Sequence, residues 1–181
     1  MSPATATTQT HDWLKEYIRD IPDFPKAGVV FKDITPLLGS KLAFPYTIDA
    51  IAQHFHGIDI DKVLGIEARG FIVAAPIAYR FGAGLIPVRK HGKLPWEIES
   101  QEYELEYGAE MLEMHRDAIA PGERILIVDD VLATGGTAEA TAALTKRCGG
   151  HVVGIATIME LTFLKGRERL KDFEVFSLIS Y

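Results

Sequence analysis

Residues 125–137 read ILIVDDVLATGGT, and this stretch decides the fold. Its apolar start, residues 125–128, predicts a buried strand that leads directly into Asp129 and Asp130. A turn of small residues follows, and the pattern of residues 138–147 predicts a helix after it. A buried strand joined to a helix by a glycine-rich turn is typical of α/β proteins with a parallel sheet.

The turn predicts an anion-binding site. Ala133, Thr134, Gly135, Gly136 and Thr137 stand where the predicted helix begins. A helix N-terminus leaves backbone N–H groups without partners and carries the positive end of the helix dipole. Ligands of open parallel sheets bind beyond the carboxyl ends of the strands, so we expect a phosphate at this turn.

The two carboxylates beside the turn narrow the choice of ligand. Asp129 and Asp130 repel a phosphate unless a divalent cation or a sugar with neighbouring hydroxyls lies between them. A ribose 5-phosphate satisfies both halves of the site. The simpler alternative, a strand end with a solvated turn, does not explain why strand, acid pair and turn occur together. The chain has neither the P-loop motif nor the G-x-G-x-x-G of dinucleotide sites.

The rest of the chain alternates short apolar strands with helices. Strands are predicted at 29–34, 63–66, 85–88 and 152–159, and helices at 13–18, 44–55 and 71–81. The predicted fold is α/β: a mostly parallel twisted sheet flanked by helices, with a small hood from residues 21–34, whose first part (21–28) reads as a loop. Residues 102–107 alternate like a half-exposed strand, and 110–115 fit either a strand or a helix. We expect one domain, 12–181, after a disordered extension, 1–11.

Composition excludes several classes of protein. The net charge of −6 argues against a nucleic-acid-binding surface. The one cysteine, Cys148, cannot form an internal disulfide. No apolar run resembles a signal peptide or is long enough to span a membrane. These features favour a cytoplasmic protein without membrane or nucleic-acid partners.

A basic segment stands out in this acidic chain. No acidic residue lies between Ala68 and Trp96, where Arg69, Arg89, Lys90 and Lys93 are found. Arg69 follows a predicted strand end, and residues 89–93 have the composition of a mobile lid. For Arg69 a surface salt bridge is the weaker alternative, whereas Arg89, Lys90 and Lys93 each read equally well as a solvated surface charge. As a cluster, they are better explained by binding of an anionic substrate.

Residues 125–137 resemble the phosphoribosyl diphosphate signature of the type I phosphoribosyltransferases. Four further segments resemble the adenine-specific branch of that family. They are FPKAGVVFKDITPLL at 24–38, EARGF at 67–71, RKHGKLP at 89–95 and LEYG at 105–108. The match covers nearly the whole chain after the N-terminal tail, in order.

The resemblance implies a fold and a reaction: transfer of the 5-phosphoribosyl group from phosphoribosyl diphosphate to adenine, giving AMP and diphosphate. It implies a homodimer and Mg²⁺ held mainly by substrate oxygens and waters. It also implies a cis peptide between Glu67 and Ala68 that faces the diphosphate. One alternative function is that of the family's regulators, which only sense phosphoribosyl diphosphate and would not need the basic lid or Glu106. The closer alternative is an enzyme of this family that is specific for another purine.

The resemblance also assigns roles to residues. Glu106 handles the purine proton, although without the resemblance it would read as a polar position on an alternating strand. Phe31 stacks on adenine, although taken alone it would read as core, and Val30 and Lys32 read the base through their backbone. The remaining assignments fall into two groups. The ribose phosphate is bound by Arg69, Asp129, Asp130, Ala133, Thr134, Gly135, Gly136 and Thr137, and the diphosphate by Glu67, Ala68, Arg89, Lys90 and Lys93.

Overall fold

The computed structural model describes residues 10–105 and 108–181. The described residues divide into two compact units, one that ends at Tyr46 and one that begins at Thr47. The single domain expected over residues 12–181 stays a prediction. The predicted disordered extension, 1–11, lies outside the described residues except for its last two. None of the helices in the described parts of the chain has the length and apolar character needed to cross a bilayer.

The first unit is built around a β-hairpin. A 3-10 helix, Asp12–Tyr17, precedes strand β1, Arg19–Pro22, which pairs antiparallel with β2, Val30–Asp33. A short helix α1, Thr35–Leu38, follows. The extended segment predicted at 29–34 is therefore confirmed, whereas the first two residues of the loop predicted at 21–28 belong to β1.

The second unit holds the main sheet. Helix α2, Ala43–His54, begins in the first unit and ends in the second. Two further helices follow, α3 at Arg69–Phe81 and α4 at Gly136–Arg147, with 3-10 turns at Thr162–Leu164 and Gly166–Arg169. The strands are β3 Lys62–Ile66, β4 Gly84–Lys90, β5 Ile98–Leu105, β6 Gly108–His115, β7 Arg124–Leu132, β8 His151–Glu160 and β9 Val175–Ser180.

Within the described residues, the strands of this unit form one seven-stranded sheet in the order β5-β6-β4-β3-β7-β8-β9. The pairs from β4 through β3, β7 and β8 to β9 are parallel, while β6 runs antiparallel to both β4 and β5. The central strands are the most buried, as Leu64, Ile127 and Ile155 have no exposed surface. The mostly parallel sheet flanked by helices is therefore confirmed, with an antiparallel hairpin at one edge.

Several element boundaries differ from the prediction. Strand β7 continues through Asp129 and Asp130 to Leu132 because β8 pairs with it as far as Glu160. Residues 110–115 are a strand, since they pair with β5. Arg89 and Lys90 lie at the end of β4, paired with β6, so they do not belong to a loop. The pattern also does not end at 152–159, because β9 adds a further parallel strand.

Candidate active site

Two carboxylates and an arginine form the centre of the site. The side chain of Asp130 is 5% exposed, and its Oδ2 lies 3.0 Å from Nε of Arg69, the first residue of α3. The backbone N–H of Asp130 donates a hydrogen bond of 2.8 Å to Oδ1 of Asp129. The structure therefore brings these three predicted residues together near the carboxyl ends of β3 and β7.

Burial raises the pKa of both carboxyl groups. For Asp129 the loss of hydration is the largest cause, and the negative charge of Asp130 adds to it. For Asp130 burial outweighs the opposing effect of the Arg69 guanidinium. Negative charge on these two buried carboxyl groups costs free energy. A ligand that donates hydrogen bonds to them offsets that cost. Sugar hydroxyls meet that requirement, whereas phosphate oxygens do not.

Gly70 lets α3 begin in contact with β7. A Cβ atom here would lie 2.9 Å from Oδ1 of Asp129 and 3.0 Å from the carbonyl oxygen of Val128. A larger residue would push the start of the helix away and lengthen the distance between Arg69 and Asp130. The sequence pattern did not single out Gly70, since only its neighbours in space reveal its role.

The glycine-rich turn joins β7 to α4. Strand β7 ends at Leu132, and α4 begins at Gly136, two residues before the predicted start. Gly135 is the N-cap with φ +85°, a conformation that favours glycine, and it makes no side-chain cap. Thr137 lies in the first turn of the helix. The backbone geometry is that of a helix N-terminus able to receive an anion.

Three residues of the predicted basic cluster, Arg89, Lys90 and Lys93, converge on Glu67. Arg89 Nε lies 3.3 Å from Oε2 of Glu67, and the backbone N–H of Lys90 donates to the same oxygen at 3.0 Å. The ammonium group of Lys93 forms an ion pair with Oε1. Burial of the carboxyl group raises the pKa of Glu67, but these donors and cations together outweigh it and hold the pKa below its usual value. The peptide between Glu67 and Ala68 is cis, as the resemblance implied.

A cavity of about 380 Å³ is lined by the acid pair, by the glycine-rich turn, and by Glu67 and Lys90. Most of the residues predicted for the ribose phosphate and diphosphate line it. They are Glu67, Ala68, Arg69, Lys90, Asp129, Asp130, Ala133, Thr134, Gly135 and Thr137. Three residues predicted for the same ligands are not part of the lining as far as the described residues show it. They are Arg89, Lys93 and Gly136.

Tyr103 and Glu110 are among the lining residues that the sequence analysis did not assign to the site. The hydroxyl of Tyr103 donates to Glu110 at 2.8 Å, and Lys90 Nζ also contacts Glu110 at 2.9 Å. Burial, together with Glu110, raises the pKa of Tyr103 to about 12, so its hydroxyl stays protonated. The alternating pattern had marked Tyr103 only as a strand position. The antiparallel pairing that brings Glu110 opposite it was not visible in the sequence.

The residues predicted to contact adenine are on the hairpin of the first unit. Val30, Phe31 and Lys32 belong to β2 of the first unit. Val30 is 49% exposed, and Phe31 packs edge-on against Phe24 at 5.2 Å between ring centroids. Lys32 Nζ lies 2.7 Å from Asp20. The predicted catalytic residue, Glu106, lies outside the described residues.

Comparisons with known proteins agree with this architecture. A family model described as "Phosphoribosyl transferase domain" matches residues 46–180. The adenine phosphoribosyltransferase of Thermobifida fusca is 56% identical over 172 residues, which cover 95% of this chain and 98% of the relative. The crystal structure of adenine phosphoribosyltransferase from Thermoanaerobacter pseudethanolicus has a TM-score of 0.92 at 52% identity, covering 95% of this chain and 100% of that one.

A further solved structure carries ligands. Adenine phosphoribosyltransferase from Saccharomyces cerevisiae, in complex with D-2,5-dideoxy-2,5-imino-altritol 1,6-bisphosphate and adenine, has a TM-score of 0.89 at 38% identity. The match covers 93% of this chain and 98% of that one. The similarity thus extends over nearly the full length of each protein.

Proposed function

The chain belongs to the phosphoribosyl transferase family, and within it to the adenine phosphoribosyltransferases, and we propose from this premise which residues carry the reaction. The reaction transfers the 5-phosphoribosyl group from phosphoribosyl diphosphate to adenine and yields AMP and diphosphate, a step of purine salvage. The expected cytoplasmic location stays a prediction.

The ribose 5-phosphate is proposed to bind where the acid pair meets the turn. Asp129 and Asp130 accept hydrogen bonds from the ribose diol, and the backbone of residues 133–137 with the Thr134 and Thr137 hydroxyls receives the 5-phosphate. Arg69 balances the charge of the acid pair, since it contacts Asp130. The observation that carries this proposal is that the carboxylates and the turn line one cavity.

The diphosphate is proposed to bind at the basic side of the same cavity. Arg89, Lys90 and Lys93 supply positive charge, and the peptide between Glu67 and Ala68 faces the leaving group. Bond breaking at the anomeric carbon has oxocarbenium character, so it needs no protein nucleophile. Charge neutralisation of the departing diphosphate and orientation of the purine nitrogen then account for the catalysis.

Changing Lys93 to alanine tests the diphosphate assignment. We expect kcat/KM for phosphoribosyl diphosphate to fall about tenfold. This is the low end of the range for loss of one charged hydrogen bond, because the Lys93 side chain is partly exposed. The Kd of AMP should stay within about twofold, because AMP has no diphosphate. Steady-state kinetics and calorimetry measure the two quantities, with Lys171→Ala as the control for loss of an exposed lysine. Equal losses for both ligands would place the loop's action elsewhere.

Magnesium is proposed to reach the site with the substrate. Mg²⁺ keeps several waters and binds readily to phosphate oxygens. At the cavity, Asp129 and Asp130 are the proposed acceptors of the ribose hydroxyls, and Asp130 already contacts Arg69. The ion is therefore assigned to diphosphate oxygens and waters, where it would neutralise charge on the leaving group.

Adenine is proposed to be bound by the residues that the resemblance assigns to it. Phe31 stacks on adenine, and the backbone of Val30 and Lys32 contacts the purine edge. A site that accepts a hydrogen bond from the 6-amino group rejects 6-oxo purines, because two acceptors would then be opposed. Glu106 is assigned the proton of the purine imidazole.

A homodimer is proposed on the basis of an exposed apolar face. Ile72 and Tyr79, which share one face of α3, are 46% and 87% exposed, and Leu85 on β4 is 46% exposed. We expect the wild-type protein to sediment as a dimer and the double variant Ile72→Asp/Tyr79→Asp to sediment as a monomer. Phe163→Asp, which alters another exposed aromatic residue, should leave the dimer intact. A wild-type protein that sediments at 20.0 kDa would contradict the proposal.

A further inference from the structure

A buried glutamate that the proposed mechanism does not use lies beside the basic loop. Glu113, on β6, is 1% exposed. Its Oε1 lies 2.5 Å from Nδ1 of His91, and its Oε2 accepts a hydrogen bond of 2.9 Å from the backbone N–H of Gly92. Both oxygens of this carboxylate are therefore engaged by two successive residues of one turn.

This arrangement fixes the path of the chain after β4. The β4–β6 pairing ends at Lys90 opposite Leu112, and the N–H of His91 extends it by donating to the carbonyl of Met111 at 3.2 Å. Gly92 then turns the chain with φ +76°. A buried carboxylate is stable only when its oxygens are paired, so breaking these contacts is costly and the turn is held in one position.

The residue after this turn is Lys93, which reaches Glu67 at the cavity. The carbonyl oxygen of Lys93 also accepts a hydrogen bond from Arg89 at 3.4 Å. Two of the proposed diphosphate-binding side chains thus depend on where residues 91 and 92 lie. The neighbouring pair, Lys90 and Glu110, is a separate contact.

We propose that Glu113 and His91 form a latch, acting as positioning residues that hold the turn so that Lys93 and Arg89 stand at the diphosphate subsite. The inference rests on the proposed role of that subsite. The latch touches neither substrate nor reacting atoms in this assignment. Because the latch already holds the turn, the basic side chains lose less conformational entropy when they bind the diphosphate.

The test uses His91 because its side chain is 74% exposed, so its removal takes no packed side chain out of the core. In His91→Ala we expect faster hydrogen–deuterium exchange in the peptide covering residues 90–94, measured by mass spectrometry on the whole protein. We also expect KM for phosphoribosyl diphosphate to rise about fivefold to tenfold, with kcat and the Kd of AMP within about twofold. His91→Asn, which can still donate to Glu113, should recover most of both changes, and His56→Ala is the control for loss of an exposed histidine.

Hydrogen–deuterium exchange and KM test the latch and the diphosphate subsite independently. Unchanged exchange in His91→Ala would overturn the latch itself. Faster exchange with an unchanged KM would overturn its positioning role. If Lys93→Ala also left KM unchanged, the proposed diphosphate subsite would be wrong, independently of the exchange result. If His91→Asn fails to recover the exchange rate and KM, the hydrogen bond to Glu113 is not what holds the turn.

Discussion

Replacing both Asp129 and Asp130 with asparagine is expected to lower kcat/KM for phosphoribosyl diphosphate by about two to four orders of magnitude. A hydrogen bond to a charged acceptor contributes about 1.5–3 kcal/mol, and about 1.4 kcal/mol corresponds to a factor of ten. Losing two such bonds to the ribose diol accounts for the expected range. The affinity for AMP should fall in parallel, because AMP carries the same diol.

The fold should survive this double substitution. Asparagine has the shape of aspartate, and Arg69, whose side chain is 36% exposed, can still be hydrated. Burial raises the pKa of both carboxyl groups, and the charge of Asp130 raises that of Asp129 further, so negative charge there works against folding. We therefore expect a Tm equal to or above that of the wild type. Circular dichroism checks this, and calorimetry with AMP and phosphoribosyl diphosphate checks binding.

A matched control removes the same amount of charge from the surface. Asp117 and Asp172 are both exposed, and their double change to asparagine should leave both affinities within about twofold. If the Asp129→Asn/Asp130→Asn protein is folded and binds both ligands as tightly as the wild type, the ribose assignment is wrong.

The central part of the site could be predicted because its signals are local in sequence. A buried strand, an acid pair and a helix N-terminus follow one another within residues 125–137, so the order of residues already places the carboxylates beside the turn. Arg69 was predicted for the same reason, since it follows the next strand of the sheet. The end of β7 was misplaced because β8 extends it by pairing, which an apolar run cannot indicate.

The parts that the sequence did not reveal depend on contacts between distant segments. The basic side chains were recognised as a cluster, but the carboxylate of Glu67 that gathers them comes from another strand end. Glu110 reaches Tyr103 only through antiparallel pairing, and Glu113 reaches His91 across β4 and β6. No periodicity encodes such pairs, because each partner reads as an ordinary polar position of its own segment.

Gly166 is the clearest case of a residue found only in the structure. It begins the 3-10 turn Gly166–Arg169 and packs against the backbone of the glycine-rich turn. A Cβ atom on Gly166 would lie 2.3 Å from the carbonyl oxygen of Ala133 and 3.0 Å from the backbone nitrogen of Gly135. A Cβ on Gly135 would in turn lie 2.5 Å from the carbonyl oxygen of Gly166. The two backbones touch, so neither can accept a side chain without moving the other.

Gly166→Ala is therefore expected to displace the turn that is proposed to bind the 5-phosphate. The obstacles are backbone atoms, which cannot rotate away as a side-chain end would. A displacement of about 1 Å can cost about a hundredfold, so we expect KM for phosphoribosyl diphosphate and the Kd of AMP to rise by about that factor. The free energy of unfolding should fall by about 1–3 kcal/mol, as for other overpacked positions.

The pattern of losses distinguishes this variant from the others. Both ligands with a 5-phosphate should bind more weakly, whereas inorganic diphosphate, which does not use the turn, should bind within about twofold of the wild type. Gly39→Ala is the control, because its nearest atom would lie at 3.5 Å, an ordinary contact. Calorimetry gives the Kd of AMP and the Kd of diphosphate, and a chemical denaturation curve gives the free energy of unfolding. If Gly166→Ala binds AMP normally, the backbone contact with Ala133 does not set the position of the phosphate, and the turn must be held from the α4 side alone.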